Sequence, residues 1–118
     1  MTAPLVAVGP ARADFAEKAI RDGGGEPTDV DARADALVWL DPGDVEGLRA
    51  ALATASSARW VQLPYAGVER LAEAGIFDPG RAWTSAKGAY AEPVAEHALM
   101  LALAGLRLLR RRLSLIHI

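Results

Sequence analysis

The chain has 118 residues, 52% of them hydrophobic, with a formal net charge of −2 and no cysteine. That is apolar material for one modest packed domain, and the near-neutral balance argues against nucleic acid or a membrane surface as partner. Disulfides and thiolate metal sites are excluded by composition. The start, Met1-Thr2-Ala3-Pro4, lacks a basic segment followed by an apolar core, so a cytoplasmic address is the default expectation. The longest apolar stretch, Ala98 to Leu106, falls short of the roughly 20 residues a bilayer span needs.

In chain order, short β-rich runs alternate with helical patterns. Leu5-Val6-Ala7-Val8 reads as a buried strand closed by Gly9-Pro10. Phe15, Ala16, Ala19 and Ile20 follow at helical spacing, with Arg12, Glu17, Lys18 and Arg21 on the opposite face. Gly23-Gly24-Gly25 caps that helix. Glu26 to Val30 is a weakly signalled strand, and Ala36 to Leu40 a clear one ended by Asp41-Pro42-Gly43. Asp44 is placed to cap a helix that carries Val45, Leu48, Ala51 and Leu52 on one face. Trp60 to Leu63 forms the next strand, Val68 to Ala74 a short helix and Ala82 to Thr84 a last strand. From Ala91 one long helix is expected to run to the cluster Arg107, Arg110, Arg111 and Arg112. Alternation of this kind predicts an α/β fold, a flavodoxin-like parallel sheet with helices on both faces, plus a long C-terminal helix.

That last helix is apolar almost all round, from Val94 and Ala95 through Leu99, Met100, Leu103 and Leu106 to Leu109. It is therefore expected to need cover from several sides, from a second domain or a second chain. The final six residues, Leu113-Ser114-Leu115-Ile116-His117-Ile118, match the translation of a transposon-end sequencing adapter in one reading frame. Residues 113–118 are accordingly expected to be an adapter-derived tail, His117 included, with the natural gene continuing past Arg112.

In an open parallel sheet, ligands bind beyond the carboxyl ends of the strands. The most informative loop there is Leu63-Pro64-Tyr65-Ala66-Gly67-Val68-Glu69. Gly67 permits a tight turn into a helix, and outward-pointing N–H groups at such a turn attract carboxylate or phosphate. On spacing alone an ordinary strand-to-helix turn is the preferred account. Glu92 and Glu96 share a helix face, a spacing that suits acid–base or metal chemistry, but acidic residues near a helix start also complement its dipole. His97 has no evident partner in sequence and reads as a structural or interface histidine. The arginine cluster reads as a basic helix end.

Two blocks carry a family resemblance. Residues Arg59 to Leu71, an apolar strand with Gln62 followed by Tyr65-Ala66-Gly67-Val68-Glu69, resemble the D-isomer-specific 2-hydroxyacid dehydrogenases, which are NAD(P)-dependent. Residues Thr84 to Leu99, including Gly88-Ala89-Tyr90-Ala91-Glu92-Pro93-Val94, resemble the entry into that family's interdomain helix, and the order and separation of the blocks also match. Residues 1–58 agree only in the order of strands and helices.

The resemblance implies a chain made of a flavodoxin-like substrate domain over residues 1–90, an interdomain helix over 91–112, and beyond it a missing NAD(P)-binding Rossmann domain. It implies that backbone N–H groups of Ala66 and Gly67 bind the substrate carboxylate and that Tyr65 at the lid tip shapes the acid's side-chain pocket. Tyr90 then approaches the substrate where one branch of the family has Asn, a departure that leaves a phenol as possible donor. Val94 lines the nicotinamide side of the cleft. No catalytic residue is implied within these residues, because the family's Arg, Glu and proton-exchanging His lie in the later part. The implied function is an oxidoreductase transferring a hydride between NAD or NADP and a small 2-hydroxy or 2-oxo acid, homodimeric at full length, with the present chain inactive alone.

Two other classes fit parts of the pattern. A phospho-receiver domain shares the βα alternation, and Asp41 and Lys87 lie near its acceptor and conserved-lysine places. It also needs paired acids after its first strand to hold magnesium, where this chain has Gly9-Pro10-Ala11-Arg12. A non-catalytic interaction module would use the apolar C-terminal helix.

Overall fold

The computed structural model describes residues 2–116, apart from the side chains of residues 109, 110, 115 and 116. The expectation attached to His117 lies outside the described residues. The chain divides into two compact units, Met1–Lys87 and Gly88–Ile118.

The first unit is a five-stranded, all-parallel sheet of β1 (Leu5–Gly9), β2 (Glu26–Thr28), β3 (Ala36–Trp39), β4 (Trp60–Gln62) and β5 (Ala82–Thr84), in the order β2-β1-β3-β4-β5. This is the flavodoxin-like doubly wound order, with its reversal between β1 and β3. Helix α1 (Asp14–Asp22) makes the crossover toward β2, whereas α2 (Val45–Thr54) and α3 (Glu69–Glu73) make the crossovers toward β4 and β5. Right-handed crossovers in opposite directions put α1 on one face of the sheet and α2 and α3 on the other.

Alternation along the strands builds the core. Ala7, Leu37, Trp39, Val61 and Leu63 project toward α2 and α3, where they meet Leu48, Ala51, Leu52 and Leu71. Leu37, Leu48, Val61 and Leu63 are the largest fully buried side chains. Arg81 ties this layer together by donating from Nε to the Ala58 carbonyl at 2.9 Å and from Nη2 to the Leu52 carbonyl at 3.2 Å. Asp44 caps α2 as expected: its carboxylate accepts from the Gly47 N–H at 2.8 Å. Gly23 caps α1, and Gly24, at φ 90°, takes the left-handed turn that lets the Gly25 N–H reach the Ile20 carbonyl at 2.9 Å.

The α1 face is less complete. Of α1 only Ala16 is buried, and Phe15, expected to face the core, is 71% exposed. Val38, Leu40, Trp60 and Gln62 lie beside α1 along an open trough of about 460 Å³. Phe15 lines this trough and stays exposed, because no described residue of this unit covers it.

The second unit holds α4 (Ala91–Leu106) and α5 (Leu109–Ile116). The single helix expected from Ala91 to Arg112 is interrupted: the Arg107 N–H closes the last turn onto the Leu103 carbonyl, and Leu108 takes φ 50° before α5 starts. No residue of α4 is buried. No helix among the described residues is long and apolar enough to cross a membrane.

Candidate functional site

The carboxyl edge of the sheet is assembled from the segments following β1, β3, β4 and β5. At the reversal between β1 and β3 the crevice is filled from within. A Cβ on Gly9 would stand 2.8 Å from Trp39 Cζ3 and 3.3 Å from Val30 Cγ2, so only glycine lets the indole close over the end of β1. Trp39 is 3% exposed and donates from Nε1 to the Asp41 carbonyl at 2.6 Å. The Asp41 carboxylate in turn accepts from the Gly43 N–H at 2.9 Å, which fixes the loop after β3. Trp39 escaped the sequence reading as a site residue. Its signal was strand alternation, which puts it on the same face as Leu37.

Next to this plug, Tyr65 and Gly67 line a cleft of only about 10 Å³ with Trp39, Asp41, Pro42 and Leu63. Space for at most about one water means that any ligand here lies on the turn and not within it. Tyr65 is 51% exposed, and Ala66 and Gly67 are also exposed. The turn rests on a rigid base. Trp60 Nε1 donates to Thr84 Oγ1 at 2.7 Å, the Thr84 hydroxyl donates to Gln62 Oε1 at 2.6 Å, and Gln62 Nε2 donates to the Leu63 carbonyl at 2.9 Å. With the Leu63 N–H bonded to the Thr84 carbonyl at 2.8 Å, the exit of β4 is locked to β5.

The φ of Gly67 is outside the left-handed region, and a Cβ there would meet Glu69 Oε2 at 3.2 Å. A flexible carboxylate end gives way, so the backbone alone does not demand glycine. The same contact places the Glu69 carboxylate beside the turn.

Tyr65, Ala66 and Gly67 are thus brought together in the first unit. Tyr90, the N-cap residue of α4, and Val94 in its first turn belong to the second unit and are 53% and 62% exposed. Asp41 and Lys87 are exposed at the ends of their loops. Where a receiver would hold paired acids there is Arg12, which donates to Glu17 and, at 3.1 Å, to Asp29. The hydrogen bond from Arg12 is the main reason the Glu17 carboxyl sits below the ordinary glutamate range. Among the described residues no group of three or more His, Asp or Glu is arranged to hold a metal.

The sequence contains no Gly-x-Gly-x-x-Gly, and its single glycine run ends α1 where a phosphate loop would have to join a strand to a helix. Compared with family profiles, curated proteins and solved structures, the chain matches none.

Proposed function

We propose that this chain is the substrate-side domain of an NAD(P)-dependent 2-hydroxyacid dehydrogenase, and that the turn Tyr65-Ala66-Gly67 receives the carboxylate of a small 2-hydroxy or 2-oxo acid. The observation that carries the proposal is an exposed turn at the carboxyl edge of a flavodoxin-like sheet, held from below by the Trp60–Thr84–Gln62 chain and written in the family-like block 59–71. Ala66 and Gly67 come just before Val68, the N-cap of α3, and successive backbone N–H groups in a turn of this kind favour an anion. Tyr65 then borders the acid's side chain. Hydride transfer itself belongs to a nicotinamide on another domain, and the residues here contribute binding and orientation. Glu69 opposes an incoming anion by like charge, so it must swing away when one binds.

The test is an amide titration of the labelled chain with a small 2-oxo acid and, separately, its neutral primary amide. The acid is expected to shift the Ala66 and Gly67 amides and the amide to leave them. Glu69→Gln should tighten binding, and Gly67→Val should abolish the shifts while the sheet spectrum stays intact, since the valine covers the turn without crowding the backbone. Equal shifts with both compounds, or none at Ala66 and Gly67, would contradict the proposal.

A further inference from the structure

We infer that Asp41 restricts this site to monocarboxylic acids. A fixed negative charge beside Tyr65 and Gly67 turns away 2-oxo and 2-hydroxy acids whose side chain carries a second carboxylate or a phosphate. The inference deepens the reading of turn 65–67 as a carboxylate receiver and rests on it. Asp41 follows β3 at the carboxyl edge of the sheet and lines the same small cleft as Tyr65 and Gly67. With about 10 Å³ of space, that cleft takes no ligand inside. An acid whose carboxylate sits on Ala66 and Gly67 therefore lays its side chain over the cleft, where Tyr65, Pro42 and Asp41 meet it.

Asp41 is held at both ends. Its carbonyl accepts from Nε1 of the buried Trp39 at 2.6 Å, and its carboxylate Oδ1 accepts from the Gly43 N–H at 2.9 Å. Glu69, the other carboxylate beside the turn, is exposed and free to swing. It also acts on the carboxylate that every such acid shares, so it does not tell one acid from another. No basic residue lines the cleft. Arg12 is engaged by Glu17 and Asp29, and Lys87, on the loop after β5, is not part of the lining. A second anion on the ligand thus finds no partner here and meets a charge that does not withdraw. A neutral side chain meets only the faces of Tyr65 and Pro42.

The experiment titrates the whole labelled chain with 2-oxopentanoate and with 2-oxoglutarate, acids of equal chain length that differ by one carboxylate. The Ala66 and Gly67 amides report binding, and circular dichroism confirms that each variant stays folded. At low salt the wild type is expected to bind the monoacid about tenfold more tightly, and the ratio should fall toward one as salt is raised. Asp41→Asn removes the charge and keeps an oxygen for the Gly43 N–H, and should cut the ratio to about twofold. Asp41→Ser, which also keeps an acceptor, should give the same low ratio. Glu69→Gln should move both affinities together and leave the ratio where it was. Equal binding of the two acids by the wild type, or a ratio that survives in both Asp41 variants, would overturn the filter while the turn remains a carboxylate receiver. Silence of Ala66 and Gly67 toward the monoacid would remove the receiver and the filter with it.

Discussion

The two units of this molecule are both rich in aliphatic residues, and they use them in opposite ways. In Met1–Lys87, aliphatic residues recur with the period of their element and the inward ones leave solvent: Leu37, Leu48 and Val61 are all 0% exposed. In α4, apolar residues occur all around the helix, and Leu99, Leu103 and Leu106 are 61%, 53% and 81% exposed. Hydrophobicity alone therefore does not make a core. A sheet face gives each inward side chain a partner across the layer, whereas no residue of α4 is buried.

The contrast breaks most visibly under truncation of one leucine in each unit. Leu48→Ala should cost about 2–5 kcal/mol, because it opens a cavity between α2 and the sheet. Leu103→Ala should change stability by no more than about 0.5 kcal/mol, as expected of an exposed site. Chemical denaturation followed by tryptophan fluorescence measures the first, since Trp39 and Trp83 lie in or against the first unit's core, and far-ultraviolet circular dichroism, which sees the helices of both units, measures the second. Comparable losses would erase the distinction.

The first unit was legible in sequence because its signals are local. β1, β3 and β4 lie in apolar runs stopped by Gly9-Pro10, Asp41-Pro42 and Pro64, and Asp44 and Gly23 sit where caps are needed. Phe15 was misplaced because helical spacing says which face of α1 is apolar but not how far the sheet extends beneath it. The break at Leu108 was missed for a related reason. A continuous apolar pattern conceals a weak point such as Gly105, where glycine costs about 1 kcal/mol relative to alanine in a helix. The turn 65–67 was legible as a motif. Its support by Trp60, Thr84 and Gln62 was not, because residues about 22 apart meet only through the parallel register of β4 and β5.

A smaller effect sharpens the comparison at the element ends. Asp44→Ala removes the acceptor of the Gly47 N–H and should cost about 1 kcal/mol in the first unit, read as a shift in its denaturation midpoint. The N-cap of α4, Tyr90, makes no side-chain capping hydrogen bond, and α4 lacks that increment. An unchanged midpoint in Asp44→Ala would mean that packing of Leu48 and Leu52 alone holds α2 in place.

The most direct measurement is amide hydrogen exchange of the whole chain across a wide range of protein concentration. Amides of β1, β3 and β4 should be strongly protected at every concentration, because their burial lies within one unit. Amides of α4 around Leu99 and Leu103 should exchange quickly, because no residue of α4 is buried. Strong protection of α4 that does not vary with concentration would show that its apolar faces are covered within a single chain, and would contradict the account.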